Sequence, residues 1–156
     1  MGTTARGLVY PSATDAPNGP AQMQTLAESV DTTYYTGSAW ITSTTGFTLA
    51  SNWTNLAVAY RTIGPMVYLR IAVDRATPAI TVAAGSGNLA DVDVLSAIPS
   101  ALIPTVSIPA MPGLAGRVCS FFMTSAGVVK LSACAGDGTN IGIGDGLSMM
   151  FVYPLG

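Results

Sequence analysis

The chain has 156 residues, a net charge of −2 at pH 7 and no histidine; 49% of it is hydrophobic and only 9% charged. Ordinary soluble domains carry roughly 25% charged residues, so a surface this poor in charge is a solubility hazard unless an oligomer or a larger assembly covers it. The length suits one domain with a real core rather than two large ones. Six scattered basic residues argue against nucleic-acid binding. The missing histidine excludes Ser-His-Asp and Cys-His catalysis, and no uninterrupted apolar run of about 18 residues marks a membrane span. Met1 to Gly7 lacks the apolar core of a signal peptide, so release of particles by lysis is the expected route out of a cell.

In chain order, residues 1–19 read as an extended segment, interrupted at Gly7, Pro11, Pro17 and Gly19, with Leu8-Val9-Tyr10 a short apolar patch. Asn18 or Gly19 then suits a helix N-cap and Pro20 its first turn, where the missing N–H costs nothing. Over the following dozen residues Met23, Leu26 and Val30 recur at spacings of three and four, a narrow stripe of coiled-coil type. A helix this short is marginal alone in water, and the stripe is too narrow for full burial. Residues 20–35 are therefore read as a short helix that packs either on its own domain or, the preferred reading, on copies of itself.

Residues 36–156 read as a β head. Its clearest strand is Met66 to Asp74, where Val67, Leu69, Ile71 and Val73 alternate with Tyr68, Arg70, Ala72 and Asp74, the period of a sheet buried on one face. Asn55 to Ile63 precedes it across a Gly64-Pro65 turn. Further β-like runs lie around Trp40-Ile41-Thr42 and Thr48-Leu49, and over 79–83, 92–95, 117–124, 128–133, 141–143 and 147–153. Leu147 to Tyr153 is apolar on both faces, which suits a central strand or a subunit contact. The proline-spaced stretch 98–113 is expected to cross the head as a mostly non-sheet connection. Many short strands between turn formers predict a mainly β fold, an antiparallel sandwich, jelly roll or barrel behind one short helix.

Cys119 and Cys134 lie opposite or diagonal to each other across a hairpin at Ser125-Ala126-Gly127. That register permits a disulfide, while the simpler reading is two small buried hydrophobes. No other Cys or His ligand exists to bind zinc, and no cofactor is expected. Asp91 and Asp93 share a strand face, an arrangement open in principle to glycoside hydrolysis or cation binding, although the nearby Gly85, Gly87 and Asn88 favour a solvated loop. Gly136 to Asn140 with Asp145-Gly146 reads as turn chemistry without the alternating carboxylates of a calcium loop. Catalysis is not expected.

Binding fits better. A pyranose has an apolar face and a polar rim, so aromatic rings beside amides and carboxylates suit it. Trp53 between Asn52 and Asn55 is the leading candidate; the loops carrying Asn88, Asp91, Asp137 and Asn140 follow. The competing reading makes Trp53 a buried ring closing one end of the head. Trp40 is read as a contact between helix and head or between subunits, and Tyr68 and Arg70 as meeting a neighbouring subunit.

The run Gly7-Leu8-Val9-Tyr10-Pro11 to Pro17, followed by Pro20-Ala21-Gln22-Met23-Gln24-Thr25-Leu26-Ala27-Glu28-Ser29-Val30-Asp31, resembles the N-terminal module of small phage fibre and minor tail proteins of actinobacterial phages. Phe47 to Asn55, Tyr60-Arg61 and the Gly64-Pro65-Met66-Val67-Tyr68-Leu69 strand resemble the start of a phage receptor-binding head, with Pro65 where a second glycine is usual. Leu95 to Pro99 and Pro104 resemble that family's head connection. The resemblance implies a homotrimeric fibre with a short helical bundle and a β-sandwich head on one axis. It also implies attachment to other virion proteins through residues 1–19, and a host surface polysaccharide as partner. A capsid head fibre or decoration protein is the alternative location, and a depolymerase tip acting through Asp91 and Asp93 the alternative from the enzyme class.

Overall fold

The computed structural model describes residues 2–3, 9–10, 19–31, 37–112, 118–135 and 138–155. At the N-terminus β1 (Gly2–Thr3) pairs antiparallel with β2 (Val9–Tyr10), so part of the segment expected to be simply extended is a small ribbon. Helix α1 (Gly19–Val30) follows, starting at Gly19-Pro20 as the capping residues predict. None of its residues is buried. Met23 is 73% and Leu26 38% exposed, while Thr25, Ser29 and Gln24 turn back onto Ala21 O, Leu26 O and Glu28. Part of the polar side is thus satisfied within the helix; α1 also touches β2, Val30 is half-buried, and Met23 and Leu26 remain exposed.

The remaining chain is antiparallel β. The strands are β3 (Thr48–Leu49), β4 (Trp53–Ile63), β5 (Met66–Arg75), β6 (Asn88–Ala97), β7 (Ile108–Pro109), β8 (Met111–Pro112), β9 (Cys119–Met123), β10 (Val129–Cys134) and β11 (Gly146–Pro154). They form a five-stranded sheet in the order β3-β6-β10-β9-β7 and a four-stranded sheet in the order β4-β5-β11-β8. One core lies between them, with Val67, Leu69, Ile71 and Val73 of β5 and Leu147, Met149, Phe151 and Tyr153 of β11 from one side. Val94, Leu95, Phe121, Met123 and Leu131 come from the other. The alternation that marked β5 in sequence is therefore the pleat itself: its other face, Tyr68, Arg70, Ala72 and Asp74, looks outward. β11 is central, paired with β5 over its whole length, which explains why Met150 and Val152 are apolar on its outer side.

Two expectations need correction, the strands over 79–83 and 141–143 and the strand around Ile41. Residues 79–83 and 141–143 are not strands; they meet only at an Ile80–Ile141 bridge, because Gly142 N–H donates to the Asp145 carboxylate at 2.7 Å and closes a turn. Ile41 likewise makes a single bridge, to Tyr60. The proline-spaced connection is mostly non-sheet over its described residues, as expected, and it also contributes short strands. After a 3₁₀ turn at Ser100–Leu102 it supplies β7 to one sheet and β8 to the other, with Pro109 and Pro112 on edge strands, where a missing N–H is tolerated. Finally, Cys119 and Cys134 are directly opposite in the β9–β10 ladder and form a disulfide; both are buried, so the alternatives of bridge and buried hydrophobe coincide.

Tyr153 ties the connection to the core: its buried hydroxyl donates to Leu102 O. Burial raises this phenol above its ordinary value near 10. A raised folded-state value means the neutral form stabilises the fold; that contribution is complete below pH 10 and is lost as pH rises beyond it. Tyr153→Phe removes the donor, leaves Leu102 O unpaired and is expected to cost about 2 kcal/mol. Urea unfolding of both proteins at pH 7 and pH 11 checks this: the wild type should lose more stability than the variant on going to the higher pH.

Candidate functional site

The outer face of the four-stranded sheet gathers the unusual side chains. Residues 37–46 run beside β4, held by Ser38 N–H to Thr62 O (2.7 Å), Thr62 N–H to Ser38 Oγ (2.9 Å) and the two-way Ile41–Tyr60 pair. Gly37 permits this approach: its φ is +66°, and a Cβ there would sit 2.6 Å from Thr62 O. The segment forms a rim of Trp40, Thr42 and Thr44 beside the sheet.

Across that rim the registers place Arg61 opposite Tyr68, Ala59 opposite Arg70 and Ala57 opposite Ala72, with Ser148 beyond Ala72 on β11. Small side chains at these positions leave a shallow trough of about 400 Å³ lined by Thr42, Thr44, Ala57, Ala59, Arg70 and Ala72. Arg70 and Ala72 also border a second hollow of about 360 Å³ that reaches Asn55, Asp74 and Ser148. At one end the Arg61 guanidinium lies 5.0 Å from the Trp40 ring centroid and 5.5 Å from that of Tyr68, a cation held between two π faces. Its Nε is buried without a hydrogen-bond partner among the described residues. Trp40 is 45% exposed, so part of its ring still faces solvent. Arg70 is exposed and pairs with no described carboxylate.

At the other end Asn55 sits in a β-bulge between Thr54 and Ala57 with φ +53°, a left-handed position that Asn tolerates better than most residues. Its Nδ2 donates to Asp74 Oδ2 at 2.7 Å. Gly146 stands opposite Asp74, and a Cβ there would meet Asp74 Oδ1 at 3.2 Å.

Of the residues predicted from sequence to bind a sugar, only Asn55 belongs to this face; Trp40, Tyr68 and Arg70, read from sequence as contacts, lie on it too. Trp53 is corrected: it is 3% exposed, its indole N–H donates to Asp93 O across the core at 2.8 Å, and the Arg75 guanidinium covers its ring at 4.9 Å. Neither face is free for a sugar, so the structural reading of this ring holds. Arg75, itself buried, donates through Nε to Pro78 O at 2.6 Å, and burial lowers its pKa. Asn52 receives Ala76 N–H on its backbone carbonyl. Asn88 O accepts from Ala83 N–H, and Asn140 Oδ1 from Val82 N–H; both hold the 79–87 segment and do not converge with Trp53. Asp137 lies outside the described residues. Asp93, one of the two carboxylates considered for hydrolysis, is 3.1 Å from Lys130 Nζ.

Sequence reasoning missed the Trp40–Arg61–Tyr68 stack and the trough. The signal was present in Ala57-Val58-Ala59-Tyr60-Arg61, whose alternation places two alanines and an arginine on one face, but the partner strand's register is needed to align them with Ala72 and Arg70. A comparison of the chain with family models, curated proteins and solved structures finds no match.

Proposed function

We propose that this chain is a virion structural fibre protein of a bacteriophage, associated through α1 into a homotrimer. In this reading a jelly-roll-like sandwich head contacts host-surface glycan, and the N-terminal segment binds other virion proteins. The observation that carries it is a twelve-residue helix with no buried residue and with Met23 and Leu26 uncovered. Such a helix is not stable alone in water, and a partner helix supplies the missing packing. A head whose surface is almost without charge fits a life inside an assembly. The number three rests on the resemblance of the 7–31 segment to phage fibre modules; the stripe asks only for more than one copy. Three heads per fibre and several fibres per particle turn weak contacts into durable attachment. The reaction chemistry of the chain, in this account, is none.

The test is proteomic and direct. Mass spectrometry of gradient-purified particles from a lysate of cells producing this chain should find it at a fixed ratio to the major capsid protein. Its presence only in the soluble fraction would contradict the virion assignment.

A further inference from the structure

We infer that the trough on the outer face of the four-stranded sheet binds the carboxylated pyranose unit of an acidic polysaccharide, with Trp40 and Arg70 as its principal contacts. The site deepens the fibre reading above, on which its biological setting rests, but its chemistry follows from the face alone. Four observations converge. The floor, Ala57, Ala59 and Ala72, is apolar, shallow and strand-ordered, the complement of a flat ring rather than of a protruding side chain. The rim offers Thr42 and Thr44 hydroxyls, and the far hollow adds Ser148 and the Asn55–Asp74 pair, so donors and acceptors surround an apolar base as a pyranose requires. Trp40 is 45% exposed and stands two residues along the rim from Thr42, where the C–H face of a sugar can stack.

The fourth observation is charge. The face holds Arg61 and Arg70, two of the chain's six basic residues, on adjacent diagonal positions of paired strands. Arg61 is fixed by its two aromatic neighbours, with its Nε buried, so it adds positive charge to this end rather than a direct contact. Arg70 is unpaired among the described residues. The one carboxylate on the face, Asp74, is held by Asn55 at the opposite end. An anionic group is thus the complement of the arginine end, and guanidinium binds a carboxylate in a bidentate fork. Hexuronates join a carboxylate to a ring with an apolar face, and they are the class to which the proposal commits.

The experiment is a nuclear magnetic resonance titration of the full isotope-labelled chain with tetragalacturonate, maltotetraose and inorganic phosphate. Tetragalacturonate should shift the Trp40 indole N–H and the amides of Ala57, Ala59, Arg70 and Ala72, while the Trp53 indole stays still. Maltotetraose should bind at least about tenfold more weakly, and Arg70→Ala should weaken tetragalacturonate by about tenfold, the loss of a charged hydrogen-bonded contact. Arg70→Lys should recover part of that loss, and Trp40→Ala should lower the response to both sugars. Arg70 is exposed, so an unchanged Trp53 emission spectrum will certify that its variants are folded. The proposal is overturned by equal response to the neutral sugar, by phosphate acting at the same atoms with equal affinity, or by indifference to Arg70→Ala. It is also overturned if Trp40→Ala changes the oligomeric state, which would make this face a contact between copies. Sedimentation of the same samples separates the two readings: a single chain that binds tetragalacturonate refutes the fibre and keeps the site, while a trimer that ignores it does the reverse.

Discussion

Leu26→Asp is expected to convert the assembled protein to single chains or to abolish its soluble expression. Leu26 occupies the middle of the apolar stripe on α1, three residues after Met23 and four before Val30, and it is 38% exposed. In a bundle of identical helices each copy would place this carboxylate in the shared seam, where an unpaired charge costs several kcal/mol. In a lone helix lying in water the same substitution is nearly free, since exposed changes are usually within about 0.5 kcal/mol. The effect therefore separates the two situations by its size. Gln24→Ala, on the polar side, is the control and should leave assembly intact. Sedimentation velocity of the wild type and both variants reads the outcome, and an unchanged assembly in Leu26→Asp would remove α1 from the account of oligomerisation.

The second large effect concerns the bridge between β9 and β10. Removing it by Cys119→Ala with Cys134→Ala is expected to destabilise the chain by about 3 kcal/mol, the loop-closure term for a cross-link spanning about 15 residues; the observed sequence separation is 15. With the urea dependence usual for small domains, the unfolding midpoint should fall by about 1–3 M. Wild type refolded in reductant should match the double variant, because both lose the same constraint on the unfolded chain. A midpoint unmoved by either treatment would contradict this and show that the covalent link adds no stability to the fold.

The parts of the fold that were readable from sequence are those set by local pattern. Val67 to Val73 had to face a core because their period of two leaves no alternative. Gly64-Pro65 had to turn the chain, and Gly19-Pro20 had to start the helix. What escaped was set by register between distant segments. Trp53 looks in sequence like a platform flanked by amides, yet the bulge at Asn55 turns the two apart: the ring goes inward to Asp93 O and Arg75, the amide outward to Asp74. A one-residue insertion in a ladder reverses which face a side chain occupies, and no local propensity reports it. The trough was hidden for the same reason, since alanines signal little singly and become a floor only when Ala57 meets Ala72 across two strands. The disulfide stayed open in sequence because hairpin length alone leaves Cys119 and Cys134 opposite or diagonal. The paired registers set them face to face.

In the proposed reading, copies of this chain cover the exposed stripe of α1 and the charge-poor surface of the head. Sedimentation equilibrium of the full wild-type protein at low micromolar concentration addresses it most directly. A mass equal to three chains, stable to dilution and lost on Leu26→Asp, is the predicted result. A well-dispersed species with the mass of one chain would contradict it.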